Sequence, residues 1–260
     1  MSNIQKLLDV MVALRRDCPW DREQDFASIA PYTVEEAFEV ADAIAREDWP
    51  ALRDELGDLL FQVVFHARMG EEAGYFTLDE VVDGICSKMV RRHPHVFGSA
   101  EEKARGPEQG SWERIKAEER KGKDTGAASA LDGVTQALPA LKRAAKLGKR
   151  AATVGFDWPD ADGSLAKVHE EIAELAEARA AADQAAQHAE LGDLLLSVVN
   201  LSRHLQIDAE QALTDANRRF EARFRQLEAN IRDSGRAPED CGLDELEAAW
   251  QTAKQQLAAR

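Results

Sequence analysis

The feature that most constrains the fold of this chain is an internal repeat. Residues 35–68 align without a gap on residues 170–203, and 17 of the 34 aligned positions are identical. The most similar part reads DELGDLLFQVV from Asp54 and AELGDLLLSVV from Ala189. Repetition of this quality predicts two copies of one supersecondary unit.

The spacing of apolar residues is typical of amphipathic helices, and aromatic residues make up only 6% of the chain. We find no convincing strand and predict an all-α fold. Thr33, with Glu36 three residues later, matches a capping box and is predicted to start one helix. The other predicted helices cover 3–16, 51–70, 77–92, 111–121, 137–151, 164–182, 186–205, 209–233 and 243–258.

A segment rich in glycine, serine, alanine and charge, KGKDTGAASALDG from Lys121, separates the two copies. Such a composition, with few apolar anchors, is typical of a linker. We therefore expect an amino-terminal domain over 1–121, a linker over 122–135 and a carboxy-terminal domain over 136–260.

Each copy carries acidic residues at the same spacing, E-E-x-x-E followed later by E-x-x-D. Residues three apart lie on nearly the same face of a helix, so an antiparallel hairpin would bring two pairs of carboxylates together. The paired positions are Glu36, Glu39, Glu55 and Asp58 in the first copy and Glu171, Glu174, Glu190 and Asp193 in the second.

Four clustered carboxylates repel one another, by about 3 kcal/mol per contact at about 5 Å and an effective dielectric of about 20. The neighbouring residues predicted to be in the core are Leu56, Leu59, Leu60, Val63 and Val64, which places part of the cluster away from water. A buried cluster needs protons or a cation, and ligands that are all oxygen suit Mg²⁺, or Mn²⁺. For one copy, solvent-facing acids are the simpler interpretation. The second copy favours a metal site.

Gly57 and Gly192 stand between the acids in the middle of the predicted helices. A glycine there costs about 1 kcal/mol relative to alanine. Its presence in both copies indicates the close approach of a ligand or of another helix.

Several classes of protein are disfavoured. The net charge of −15 argues against a nonspecific nucleic-acid binder, and the longest apolar run is too short to span a membrane. The three cysteines are far apart, which indicates neither a disulfide framework nor a zinc site and favours a cytoplasmic location. A di-iron carboxylate protein needs Glu-x-x-His, and here Asp58 and Asp193 stand in the place of that histidine. The Gly-x4-Gly-Lys-Ser/Thr loop of P-loop NTPases is absent.

Taken in order along the chain, these motifs resemble the MazG family of all-α nucleoside triphosphate pyrophosphohydrolases. The residues that carry the resemblance are CPWD from Cys18, both acid patterns, RRHPHVFG from Arg91 and FEARF from Phe220. They also include WERIK from Trp112 and WQTAK from Trp250, each with a tryptophan four residues before a lysine. The resemblance implies two MazG-like helical domains in tandem, with helical bundles completed by dimerisation into a homodimer. It also implies Mg²⁺-dependent hydrolysis of NTPs and dNTPs between the α and β phosphates, which gives NMP and pyrophosphate.

The resemblance assigns a role to each matching residue. The eight paired acids would hold the metal. Apart from the resemblance, the position of Glu170 and Glu35 beside these acids predicts that one of them orients the attacking water. Substrate would be bound in the second half by Lys167, Arg219, Arg223, Trp250 and Lys254, and in the first half by Lys88, Arg91, Arg92 and Trp112. The family usually has lysine where Arg219 stands, and arginine keeps the charge.

The residues themselves leave open an alternative function, and a structural role for three tryptophans. The chain could be a helical adaptor that binds nucleotide or protein without turnover. In addition, Trp20, Trp49 and Trp158 are predicted to pack in a core or an interface rather than to stack on a base.

Overall fold

The computed structural model describes residues 3–106, 115, 119 and 129–258. The chain divides into two compact units, Met1–Asp124 and Thr125–Arg260. The predicted helix over 111–121 and the first half of the predicted linker lie almost wholly outside the described residues, so the domain boundaries stay a prediction. Every regular element in the described ranges is a helix, which confirms the all-α fold. None of these helices combines the length and the apolar composition that a bilayer crossing requires.

Within the described residues, the first unit contains four helices of at least 15 residues and three shorter ones. In chain order they are α1 (Asn3–Asp17), α2 (Pro19–Glu23), α3 (Phe26–Ala45), α4 (Trp49–Glu72), α5 (Leu78–Arg92), α6 (Pro94–Phe97) and α7 (Ala100–Arg105). The second unit contains α8 (Ala140–Ala152), α9 (Ala161–Ala180), α10 (Gln184–His204), α11 (Ala209–Asp233) and α12 (Leu243–Ala258), with a short 3₁₀ helix over Pro238–Asp240.

The predicted start of this helix at Thr33 is wrong, because α3 begins seven residues earlier, at Phe26. The capping box is formed instead by Asp25 and Ser28, whose side chains accept each other's backbone N–H at 2.8 and 2.9 Å. Pro31 lies inside this helix, where it removes only one backbone hydrogen bond. The Thr33 hydroxyl lies 2.9 Å from Nε2 of His66 and so links α3 to α4.

The sequence repeat folds as the same helical hairpin in both units, which confirms the tandem repeat. Helix α3 packs along α4, and α9 packs along α10. Each turn contains a residue with left-handed backbone, Glu47 at φ 54° and Ala182 at φ 53°. Each is followed by an aspartate, Asp48 or Asp183, whose side chain caps the next helix. The hairpin therefore repeats in its turn as well as in its helices.

The two units are packed differently around these hairpins. In the first unit, α1 lies against α4, and a buried cluster joins α1, α3 and α4. Its members are Met11, Ile29, Val64, Phe65 and Met69. In the second unit a separate cluster of Leu227, Ile231 and Ala253 joins α11 to α12.

One apolar stripe on each hairpin is not covered within its unit. Leu56, Leu60 and Val63 on α4 are 49%, 44% and 40% exposed. Of the five predicted core residues of α4, Val64 is buried and Leu59 is half-buried. The prediction is wrong for the other three in the chain alone, because α4 turns a different face toward α1 and α3. The equivalent positions on α10 are 48%, 51% and 44% exposed: Leu191, Leu195 and Val198.

Candidate active site

Three of the four predicted metal ligands of the first unit come together. Single oxygens of Glu36, Glu39 and Glu55 lie within 4.8 Å of one another, with Asp58 one turn further along α4. Loss of hydration, followed by repulsion from Asp58 and Glu39, raises the pKa of Glu36. Loss of hydration and repulsion from Glu39 likewise raise the pKa of Glu55. The first cluster therefore carries unbalanced negative charge.

The second unit places its acids in the same way. Oxygens of Glu171, Glu174 and Glu190 lie within 4.8 Å of one another. Glu171 is only 3% exposed, which makes it the most buried acid of the cluster. Loss of hydration raises the pKa of Glu174, with Lys167 opposing the shift and Glu171 adding to it.

Lys167 neutralises part of the second cluster. Its ammonium lies 2.8 Å from Glu170 and 2.6 Å from Glu171, and these two hydrogen bonds raise the pKa of the lysine. Helices α3 and α9 begin at positions 135 residues apart, the offset of the sequence repeat, so the alignment extends back to Phe26 and Ala161. The residue of the first unit equivalent to Lys167 is then Tyr32. The first cluster therefore lacks the cation that this position supplies in the second.

Both clusters fit a hard divalent cation. All ligand atoms are carboxylate oxygens, which Mg²⁺ and Mn²⁺ prefer to soft or nitrogen ligands. Oxygens bound to one Mg²⁺ at about 2.1 Å lie at most about 4.2 Å apart. The oxygens of each cluster lie within 4.8 Å of one another, and small side-chain rotations would bring them to that separation. The six glutamates that come together therefore suit the ion that the resemblance implies, whereas Asp58 and Asp193 lie outside the 4.8 Å clusters.

A cavity of about 660 Å³ opens beside the second cluster, between α8, α9, α10 and the loop before α9. Lys167, Glu171 and Asp193 line one end, and Phe156 and Trp158 line the other. Trp158 is 44% exposed and is not part of a core. The volume is in the range of small-molecule sites. The cavity therefore joins the acid cluster to an aromatic wall.

Two polar residues that the sequence analysis missed lie in this cavity, Ser164 and Asn200. Ser164 is 1% exposed, and its hydroxyl has no hydrogen-bond partner among the described residues. The signal that could have found them is in the repeat, where the equivalent positions of the first unit hold Ile29 and Phe65. The two positions are apolar in the first copy and polar in the second, and this difference distinguishes Ser164 and Asn200 from ordinary core residues.

An ion pair fixes the loop that forms the aromatic end. Nη1 of Arg203 donates to Oδ2 of Asp157 at 2.8 Å, and Nε2 of His204 lies 3.2 Å from Oδ1 of the same carboxylate. The Arg203 guanidinium, with His204, holds the pKa of Asp157 below its usual range. The loop is therefore tied to the end of α10.

The other substrate-binding residues assigned to the second unit do not line the cavity. Arg219 and Arg223 lie on α11 and make no ion pair or side-chain hydrogen bond within the described part of the chain. Lys254 and Trp250 lie on α12, and the indole packs against Phe220 with ring centres 5.3 Å apart. Within one chain, these four residues therefore do not share the cavity with the acid cluster.

In the first unit, the assigned arginines contact an acid. Arg91 and Arg92 each lie 2.6 Å from Glu119. The hydrogen bonds from these arginines lower the pKa of Glu119 to about 2, and the contribution of Arg92 to this shift is the larger. Lys88 is exposed on α5. Trp112 lies outside the described residues.

The residues assigned to the attacking water and the glycines beside the acids are on open faces. Glu35 and Glu170 are exposed, and Glu170 is paired with Lys167. No described atom lies within 4 Å of a Cβ built on Gly57 or Gly192. No helix of the same unit therefore explains these glycines, and their role toward a ligand or a second chain stays a prediction.

Comparison with known proteins agrees with this geometry. The family model described as MazG nucleotide pyrophosphohydrolase domain matches residues 24–97 and again 162–227. The nucleoside triphosphate pyrophosphohydrolase of Escherichia coli (strain K12) is 49% identical over 98% of this chain and 98% of its own length. The nucleoside triphosphate pyrophosphohydrolase/pyrophosphatase MazG of Thermotoga maritima is 40% identical over 96% of this chain and 95% of its own.

The two matches of the family model cover the two hairpins with their acid clusters, and the curated relatives extend over nearly the whole chain. The duplication seen in the sequence is therefore a duplication of a known domain. The chain belongs to the MazG nucleotide pyrophosphohydrolase family.

Proposed function

We propose that this chain hydrolyses nucleoside and deoxynucleoside triphosphates between the α and β phosphates, to NMP and pyrophosphate, with Mg²⁺ or Mn²⁺ as the cofactor. The observation that carries the proposal is the acid cluster found in each unit, with three carboxylate oxygens within 4.8 Å of one another. The relatives named nucleoside triphosphate pyrophosphohydrolase support the reaction.

The acids would act as metal ligands, four in each unit. Mg²⁺, when bound, supplies positive charge that offsets the triphosphate and makes phosphorus more electrophilic. Glu171 is the best placed of the ligands because it is buried at the cavity edge. Its carboxylate is held by Lys167, which would turn toward the phosphates once the divalent ion takes its place.

The reaction needs one water molecule and no redox partner. The water oxygen forms a bond to the α-phosphorus, and the bond from that phosphorus to the bridging oxygen breaks. Pyrophosphate leaves with the electron pair. Glu170 in the second unit, or Glu35 in the first, would orient the water and accept its proton. Both are exposed, so either can approach a substrate at the cluster.

Charge on the departing pyrophosphate would be stabilised by Arg219 and Arg223, which can bind phosphate oxygens in a bidentate manner. Trp250 and Lys254 would contact the nucleotide from α12. Lys88, Arg91, Arg92 and Trp112 are the corresponding residues proposed for the first unit. Arg91 and Arg92 would first have to leave Glu119, so the second unit is the safer assignment for the active site.

We also propose a cytoplasmic homodimer. The exposed apolar stripes on α4 and α10 are the faces that a second chain would cover. Such pairing would complete the helical bundles, and it offers a way for α11 and α12 of one chain to approach the acids of the other.

Purified protein incubated with a dNTP and Mg²⁺ tests the proposal. We expect release of pyrophosphate that stops on addition of EDTA. The double variant Glu171→Ala with Glu36→Ala should lose this activity and keep its helical circular dichroism. Wild-type turnover in the double variant would show that the assigned acids are not the metal ligands.

The alternative is a helical adaptor that binds nucleotide or protein without turnover. The same experiment separates the two functions. Saturable binding of the dNTP, with no pyrophosphate formed at any divalent ion concentration, would favour the adaptor.

A further inference from the structure

We propose that the cavity of the second unit holds the nucleobase of the substrate, and that Ser164 and Asn200 discriminate between bases by hydrogen bonding to the polar edge. This inference rests on the proposed function and adds to it the part of the site that selects the substrate. It assigns no role in the chemical step to either residue.

Ser164 points to a polar ligand. Its side chain is almost completely buried, at 1% exposure, and its hydroxyl has no partner in the described ranges although it lines the cavity. Buried hydroxyl groups are nearly always hydrogen-bonded. A hydroxyl can donate and accept, so it suits the mixed donors and acceptors of a base edge.

Asn200 enters the same cavity because the facing helix has a glycine. A Cβ built on Gly148 would lie 2.5 Å from Oδ1 of Asn200. The missing side chain on α8 therefore leaves room for the amide. An amide offers both a donor and an acceptor, and no described residue hydrogen-bonds to this one.

The two residues lie at the correct distance from the acids. Ser164 precedes Glu171 by seven residues, and Asn200 follows Asp193 by seven. Seven residues are two helical turns, or about 10 Å, so each pair shares a face of its helix. This separation is comparable to the length of a nucleoside, and it places the base deep in the cavity when the phosphates lie at the acids.

Trp158 supplies the apolar surface that a base requires. Its indole lines the same cavity and is 44% exposed, so part of the ring surface is available to a ligand that stacks on it. A Cβ built on Gly163 would lie 3.2 Å from the indole, which shows how closely the ring approaches the first turn of α9. The cavity therefore combines an aromatic wall with two polar groups.

The first unit serves as an internal comparison. The repeat places Ile29 and Phe65 where the second unit has Ser164 and Asn200. Both are buried, at 2% and 1% exposure, in the cluster that joins α1, α3 and α4. Apolar side chains thus occupy the positions that line a cavity in the second unit. The polar pair is a feature of one copy only, as expected for residues that select a ligand.

The test is a substrate panel of the four dNTPs and a deoxyribose 5′-triphosphate that lacks a base, measured with Ser164→Ala and Asn200→Leu. We expect each substitution to lower kcat/KM for the preferred dNTP by about twofold to tenfold, the effect of one hydrogen bond. Differences between the bases should shrink, and hydrolysis of the base-free compound should match that of wild type. Ser202→Ala is the matched control, because its hydroxyl bonds to Val199 O of the same helix. Unchanged ratios among the dNTPs in both variants would overturn the proposal.

Binding of deoxynucleoside monophosphates, followed by tryptophan fluorescence, separates this inference from the proposed function. We expect quenching that is reduced in Trp158→Phe and weakened in Ser164→Ala, whether or not the protein turns over triphosphates. Pyrophosphate release by wild type, with monophosphate quenching that persists unchanged in Trp158→Phe, would leave the reaction standing and rule out the base pocket.

Discussion

The ammonium nitrogen of Lys167 lies 2.6 Å from Oε1 of Glu171, the most buried acid of its cluster. The second unit thus neutralises one buried carboxylate with a side chain from the previous turn, because an unpaired buried charge is costly. A divalent ion bound at the same cluster would compete with this lysine. Binding of metal would then be coupled to release of the lysine toward the triphosphate.

Lys167→Met should strengthen Mg²⁺ binding in the absence of nucleotide and weaken turnover. The lysine no longer competes for Glu171, so Mg²⁺ should raise the melting temperature of the variant more than that of wild type. Loss of a phosphate contact should reduce kcat/KM by at least about tenfold. Calorimetric titration with Mg²⁺ and pyrophosphate release measure the two effects. Lys146→Met, an exposed lysine on α8, is the control for net charge. Equal Mg²⁺ affinity in Lys167→Met and wild type would show that the lysine does not compete with the metal.

Single substitutions should reveal unequal contributions of the two units. Glu171→Gln keeps the shape of the side chain but removes its charge, and we expect turnover to fall by at least about a hundredfold, more than an outer-shell substitution costs. Glu36→Gln should retain about half of the activity or more, because Arg91 and Arg92 of the first unit are held by Glu119. Release of pyrophosphate measures both, with Glu177→Gln on α9 as the control. The reverse order of effects would place the main site in the first unit.

Leu195→Glu should weaken the proposed dimer. The residue is 51% exposed in the centre of the apolar stripe of α10, where a second chain would bury it. Light scattering after size exclusion should give twice the 28.7 kDa of one chain for wild type and a lower mass for the variant at low concentration. Leu205→Glu is the control, since Leu205 is 53% exposed but lies beyond the end of the helix. A monomeric wild type would contradict the expectation.

His66 should make stability depend on pH. Burial lowers the pKa of its imidazole, which contacts the Thr33 hydroxyl and stacks on Phe26. The unfolded chain has the ordinary histidine pKa of about 6.5. The stabilisation is complete above this value and is lost as pH falls toward the lower pKa of the folded state, because only the unfolded state binds the proton. The difference in melting temperature between wild type and His66→Gln should therefore decrease from pH 7.5 to pH 5. The exposed His188→Gln should show no such change, and a constant difference for His66→Gln would refute the argument.

The part of the fold that repeats was predictable from the sequence because its signals are local. Spacing of leucine and valine marks α4 and α10, and Asp48 and Asp183 recur at the two helix starts. The start of α3 was missed because Thr33 with Glu36 also matches a capping box, whereas the helix begins at the box formed by Asp25 and Ser28 and continues through Pro31. Rules that consider only neighbouring residues in the sequence cannot decide which of two possible capping boxes starts the helix.

The acid clusters were predictable for the same reason, since spacing on two antiparallel helices determines which faces meet. The burial of the stripe around Leu195 was not, because a helix pattern shows that a face is apolar and not which partner covers it. The cavity was also missed. Ser164 can be identified as a cavity residue only once α8 and the loop at Trp158 are known to line the same cavity. The residues that line it are far apart in the sequence.

The different side chains at matched positions of the two hairpins, Ile29 against Ser164 and Phe65 against Asn200, imply different tolerance to substitution. A change at Ile29 or Phe65 removes buried apolar contacts and endangers folding. A change at Ser164 or Asn200 alters a space that the fold does not need to fill. If the cavity selects the base as proposed, duplication of the hairpin would leave one copy free to change its substrate preference with little risk to the integrity of its own scaffold.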